Sequence, residues 1–335
     1  MNKMSLHSRT NFLIRFIFGC TLLFSCDYSK KVEQPTAGEQ WTVSLEKKPI
    51  DMVWINSGSF AMGSPTTEQF RGEDEVQHNV TLSSGYWMGS TEVTVGQWQS
   101  VMGTNLRQHV ARMLANDTLY AFGEEMLTIR EYMYMDPTPY PEIYLANENA
   151  ELPMYYVSWY DAMSFCKTLT ALARENGSIG EEYEYTLPTE AQWEYACRAG
   201  TPTSSYIGEV AQDAAGYAEV LEDIAWYGST SFKNYHGKKL GNNTAGPRDV
   251  QRKKPNAFGL YDMSGNLWEW CSDWYGAYPD QATTDPLGLE EGVNKVNRGG
   301  SWGSWASEQR SADRAQNPPA EASAYRGFRI VLVNR

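Results

Sequence analysis

Positive charge, histidine and cysteine are all scarce in this chain of 335 residues. Its 28 Lys and Arg face 41 Asp and Glu, a formal charge of −13 at pH 7, and no basic cluster in the body of the chain offsets that field. Phosphate backbones are repelled, which excludes nucleic acid as a partner. Histidines number 4, and those beyond the first turn of sequence, His78, His109 and His236, lack the spacing of a zinc or iron site. They read as surface or loop residues. The 5 cysteines are too widely spaced for a disulfide framework or a zinc knuckle. The apolar stretch from Phe16 to Phe24 is too short to span a bilayer.

What the chain has in quantity is aromatic surface: 12 Trp and 21 Tyr within a composition that is 41% hydrophobic, enough to build a core. An export signal precedes it. Lys3, Arg9 and Arg15 lead into Phe16–Phe24, the layout of a secretory leader. Its end, Leu23-Phe24-Ser25-Cys26, resembles a lipobox, in which the cysteine becomes the lipid-bearing first residue of the mature protein. The expectation is a leader over 1–25, lipidation at Cys26, a polar tether over 26–48 containing Pro35 and Gly38, and one domain over 49–335. Lipid chains would hold it at the cell envelope, on the periplasmic face or at the outer membrane. The cysteines left over, Cys166, Cys197 and Cys271, read as partly buried bystander thiols.

Within the domain, Met52 to Ile55 and Val80 to Met88 have strand character and read as a sheet edge, separated by turns at Gly58 and Gly63 and a charged loop from Glu68 to Glu75. Two helix starts are legible as capping boxes. Ser158-Trp-Tyr-Asp161 and Thr189-Glu-Ala-Gln192 each place a hydroxyl to accept an orphan N–H and a side chain three residues on to reach back, predicting helices over 158–174 and 189–199. The stretch 104–152 reads as an insertion carrying surface helices. From Gly200 onward Gly, Pro, Asn and Trp are frequent and periodic runs are absent, which predicts mostly loop.

Seven local motifs occur in order: Met52-Val-Trp-Ile-Asn-Ser-Gly-Ser-Phe-Ala-Met-Gly-Ser64, Thr91-Glu-Val-Thr94, Val157-Ser-Trp-Tyr-Asp-Ala162, Leu187-Pro-Thr-Glu-Ala-Gln-Trp-Glu-Tyr195, Gly259-Leu-Tyr-Asp-Met-Ser-Gly-Asn-Leu-Trp-Glu-Trp270, Arg298-Gly-Gly-Ser-Trp302 and Arg326-Gly-Phe-Arg329. Together they resemble the formylglycine-generating enzyme family over residues 49–333. The resemblance implies an α+β fold with little regular secondary structure and a C-type-lectin-like topology. Asp262-Met-Ser-Gly265-Asn266-Leu267-Trp-Glu269 also sets two carboxylates and several carbonyls in one turn, the hard oxygen donors that suit calcium. The resemblance implies a structural Ca²⁺ there, held by the side chains of Asp262 and Glu269 and the backbone oxygens of Gly265 and Leu267. It implies a second calcium site near 223–245, with ligands unassigned.

At the catalytic positions the chain departs from the family. The enzyme's two copper-binding thiols lie three and eight residues beyond the serine of Arg-Gly-Gly-Ser-Trp, which here gives Ser304 and Gln309. Cu(I) is soft and binds thiolate far better than hydroxyl or amide oxygen, and no cysteine lies between Asp273 and Arg335 to take over. Loss of the oxidase is expected, and copper is not. Ser301, Trp302, Arg310 and Arg314 are the candidates for lining a ligand cleft, and Arg298 and Arg329 read as structural. The expected function is binding or scaffolding with an envelope protein or exported peptide. The alternatives are a formylglycine-generating or related peptide-modifying oxidase for exported sulfatases, and calcium-dependent carbohydrate binding.

Overall fold

The structure, a computed structural model, describes residues 35–135, 149–228 and 246–334. The expected leader, Cys26, His236 and most of the second calcium region lie outside the described residues.

Five strands come first: β1 (Gln40–Val43), β2 (Ile50–Ile55), β3 (Gly58–Met62), β4 (His78–Leu82) and β5 (Tyr86–Gly89). Helices α1 (Val95–Met102) and α2 (Leu106–Leu114) follow, then a hairpin of β6 (Tyr120–Phe122) and β7 (Glu125–Leu127), and α3 (Ile129–Met135). Next are α4 (Trp159–Glu175), β8 (Tyr183–Thr186) and α5 (Glu190–Arg198). The C-terminal part holds β9 (Trp268–Trp274), β10 (Thr283–Thr284), β11 (Lys295–Arg298), β12 (Arg314–Asn317), β13 (Arg326–Gly327) and β14 (Val331–Asn334). The result is α+β with short elements, as expected.

Four of the helices begin with capping boxes. The boxes at Ser158/Asp161 and Thr189/Gln192 start α4 and α5 where the sequence predicts them. Two more, Thr94/Gln97 and Asn105/Gln108, start α1 and α2. In each, the cap side chain accepts from the N3 backbone N–H and the N3 side chain accepts from the cap's own N–H.

The main sheet has five strands in the order β1-β2-β5-β14-β8, all neighbours antiparallel. It separates two apolar cores, and strand alternation decides which residue enters which. Met52 and Leu332 join Trp98, Phe165 and Leu169 on one face, whereas Val53, Met88 and Val331 join Trp193, Ala196 and Cys197 on the other. A second sheet, β12-β11-β9-β13, and a third, β10-β4-β3, complete the C-terminal side.

Four expectations are corrected. The fold begins before Pro49, because β1 pairs with β2 and Trp41 packs edge-on to Trp87 at 5.7 Å. The strand at Met52–Ile55 is flanked on both sides and so is no edge. The 104–152 stretch is partly core, since Leu106, Val110 and Met113 are buried. His78 and His109 are buried too, and His109 Nε2 lies 2.9 Å from the Tyr156 carbonyl oxygen.

Candidate functional site

The 262–269 turn is built from left-handed backbone, with φ of 55° at Asp262, 80° at Gly265 and 63° at Asn266. Gly265 is required sterically as well, because a Cβ there would stand 2.3 Å from the Trp226 carbonyl oxygen. The turn is locked by its own amides: Gly265 N–H donates to Gly299 O and Asn266 N–H to Trp226 O, each at 2.8 Å. The Trp302 N–H donates to Asn266 O at 2.8 Å. The turn therefore lies directly against the Arg298-Gly-Gly-Ser-Trp302 segment.

Asp262 and Glu269, the two predicted calcium carboxylates, are treated differently by the fold. Glu269 is gripped by Arg329 through Nε at 2.6 Å and Nη2 at 2.7 Å, and Trp193 Nε1 donates to it at 2.7 Å. Asp262 Oδ2 accepts from Gln251 N–H at 2.8 Å, while its buried Oδ1 has no hydrogen-bond partner. Glu92 is fully buried beside them, and neither of its oxygens has a partner. Burial drives the Glu92 carboxyl well above its ordinary value, and the charges of Asp262 and Glu269 add to that. Burial likewise pushes Asp262 up to about 6. Unpaired buried oxygens of this kind are hard donors awaiting a proton or a cation. Asp262 fits the expected calcium role; Glu269, with both oxygens engaged, does not in this arrangement. Gly265 and Leu267 bring only backbone oxygens to the turn. Among the described residues no three His, Cys, Asp or Glu side chains converge on a metal position.

The neighbouring loop carries the positions of the missing thiols. Gly299 and Gly300 have φ of 98° and 74°, and a Cβ on Gly300 would collide with the Gln309 side-chain amide at 2.4 Å. Ser301 and Ser304 are buried with their hydroxyls 3.2 Å apart, and Trp268 Nε1 donates to Ser304 Oγ at 3.1 Å. Gln309 is buried, its Nε2 donating to Trp305 O at 3.2 Å and its Oε1 left without a partner. Cys197 packs against the end of this loop, with Sγ 3.6 Å from Ser311 Oγ and from Met263 O. Burial pushes that thiol up to about 11, so at neutral pH it is no thiolate.

The cleft candidates are corrected by their environments. Trp302 is core: it is buried, stacks on Tyr325 at 4.7 Å, and its Nε1 donates to Ala324 O at 2.8 Å. Arg310 spends its N–H donors on Glu68 at 2.7 Å, Glu75 at 2.7 and 2.8 Å, Asp313 at 3.0 Å and Ser307 O at 2.9 Å. Arg314 grips Glu190 at 2.7 and 2.9 Å and donates to Asp74 O and Gly276 O. An arginine has five such donors: Arg310 spends all five, while Arg314 spends four and has its charge paired with Glu190, so neither presents an unpaired charge to a ligand. Ser301 stays inside, facing Ser304. Trp305, not singled out from sequence, is the exposed aromatic of this loop at 56%. Arg298 and Arg329 are structural as expected, Arg298 pairing with Glu194 and Arg329 with Glu269.

The family model described as "Sulfatase-modifying factor enzyme 1-like domain" matches residues 40–333. The formylglycine-generating enzyme of Streptomyces coelicolor is 35% identical over 53% of this chain and 51% of its own, so the chain spans about half the length of that relative. The formylglycine-generating enzyme of Mus musculus is 26% identical over 90% of this chain and 79% of its own. The chaperone protein LppX of Paenibacillus barcinonensis is 26% identical over 75% and 78%. Among solved structures, PvdO from Pseudomonas aeruginosa is similar with a TM-score of 0.62 at 22% identity, covering 89% of this chain and 99% of that one. Treponema denticola variable protein 1 is similar with a TM-score of 0.60 at 24% identity, covering 87% and 98%. These structural likenesses show the fold.

Proposed function

We propose, from the premise that the chain belongs to the sulfatase-modifying factor enzyme 1-like family, that this member binds an envelope protein or an exported peptide without oxidising it. One observation carries the reading. Where the resemblance places the family's copper thiols, this chain has the Ser304 hydroxyl, which accepts from Trp268 Nε1, and the Gln309 carboxamide, which donates to Trp305 O, both buried. Hard oxygen donors do not hold Cu(I) as a thiolate pair does. The thiol packed nearby, Cys197, is single, buried and protonated at neutral pH. That a relative of similar length is named a chaperone protein supports a binding role.

In this reading the lipobox-like Leu23-Phe24-Ser25-Cys26 supplies a lipid anchor, and a calcium ion at the Asp262 turn would neutralise the carboxylates crowded there. Among the described residues no helix is long and apolar enough to cross a membrane. The alternative, a formylglycine-generating oxidase for exported sulfatases, draws on the identity to the Streptomyces and mouse enzymes. It requires oxygen activation without the thiol pair.

The test is mass spectrometry of a Cys-x-Pro-x-Arg peptide incubated with the full chain, Cu(I), oxygen and reductant. The peptide is expected to keep its mass while remaining bound to the protein. Conversion of its cysteine to the aldehyde overturns the reading.

A further inference from the structure

A cavity of about 340 Å³ opens between β4, the end of β9 and the 276–289 loop, and no residue of the 301–309 loop lines it. That volume suits a small molecule. Met62, Ala191, Trp274 and Tyr278 supply apolar wall, and Leu287 and Leu289 form a lip that is 73% and 49% exposed. Apolar side chains standing in solvent at the mouth of an apolar cavity are what a bound apolar group would cover.

Two carboxylates, Asp273 and Glu190, lie on the wall of the cavity. Asp273 is only 4% exposed, and its Oδ2 accepts from Glu190 N–H at 2.9 Å and Ser272 Oγ at 3.0 Å, while its Oδ1 accepts nothing. His78 Nδ1 lies 3.0 Å from the Val76 carbonyl oxygen and donates to it, so in the neutral ring Nε2 is an acceptor. The one cation among the lining residues, Arg314, is committed to Glu190. The stretch from Ser272 to Asn294 contains Asp273, Asp280, Asp285, Glu290 and Glu291 and no Lys, Arg or His. The cavity thus offers acceptors and negative charge around an apolar chamber.

We propose that this cavity binds a small primary amine, its ammonium on Asp273 Oδ1 with His78 Nε2 as a further acceptor, and its apolar body against Trp274, Leu287 and Leu289. Burial pushes the Asp273 carboxyl up to about 7, Glu190 adds to that and Lys295 opposes it, so an incoming ammonium meets a carboxylate short of counter-charge. The proposal does not depend on the oxidase question.

Isothermal titration calorimetry of the full chain at pH 8 with phenethylamine, 2-phenylethanol and 3-phenylpropanoate tests it. The amine is expected to bind at least about tenfold more tightly than the alcohol, with no binding of the acid. Asp273→Asn and Leu287→Lys should each weaken the amine by about tenfold or more. Because Asp273 also accepts from the first turn of α5, Asp273→Asn counts only if circular dichroism shows it folded; Leu287 is exposed, and its variant decides the matter otherwise. Equal affinity for amine and alcohol, no amine binding, or a Leu287→Lys protein that binds the amine undiminished overturns the proposal.

Discussion

Around the main sheet, Trp98, Phe165 and Phe328 stack and interlock at centroid distances of 5.3–6.4 Å, and little charge enters their core. On the C-terminal side Arg298, Arg310 and Arg329 are as deeply buried as those rings, each with at least one carboxylate. The two regions reach similar burial by different means, and they should fail differently. Apolar packing loses stability in proportion to what is removed. A buried ion pair loses little until one partner goes, and then the remaining charge is stranded in a medium that cannot solvate it.

The largest effect is expected from Arg310→Ala, which strands Glu75 and Glu68. A loss of about 3–5 kcal/mol in urea unfolding is predicted; a loss below about 1 kcal/mol would mean that the ion pairs are incidental. In the apolar region, Leu169→Ala should cost about 2–4 kcal/mol by leaving a cavity, and salt should not change that figure.

Acid sharpens the contrast. Burial alone would raise Glu75, but the hydrogen bonds and charge of Arg310 bring it below its ordinary value. Its contribution is therefore present above the unfolded pKa, near 4.5, and is lost as pH falls through the lower folded value. Asp273 runs the other way: with its folded carboxyl at about 7, its contribution is greatest below the unfolded value and is lost as pH rises through about 7. Urea midpoints of wild type and Asp273→Asn across this range should show the variant lacking a decline of up to ~1 kcal/mol per pH unit. Parallel curves would contradict the assignment.

The same division governs what was legible in the sequence. The helices after Ser158 and Thr189 were readable because their capping boxes are local. Thr94-x-x-Gln97 and Asn105-x-x-Gln108 carry the same signal for α1 and α2, one at the end of a longer motif and the other inside the 104–152 stretch. The strand Trp268–Trp274 was hidden for a physical reason: its first four residues are all buried, so no alternation marks it. The ion-pair frame had no local signature at all, since Arg310 meets Glu68 and Glu75 across most of the chain. Of the guanidiniums expected to face a ligand, Arg310 faces Glu68 and Glu75 of the charged loop and Arg314 faces Glu190 of α5. The carboxylates of Asp262 and Glu269 stand out because one short motif holds both, whereas nothing in Thr91-Glu-Val-Thr94 marks Glu92 as their neighbour. Its unpartnered burial beside them is a fact of three dimensions.

Titration of the full chain with Cu(I) against a chromogenic chelator tests most directly whether positions 304 and 309 lack a soft-metal site. The wild-type chain should leave the copper on the chelator, while Ser304→Cys/Gln309→Cys should withdraw one equivalent. Stoichiometric capture of Cu(I) by the wild-type chain would contradict the account.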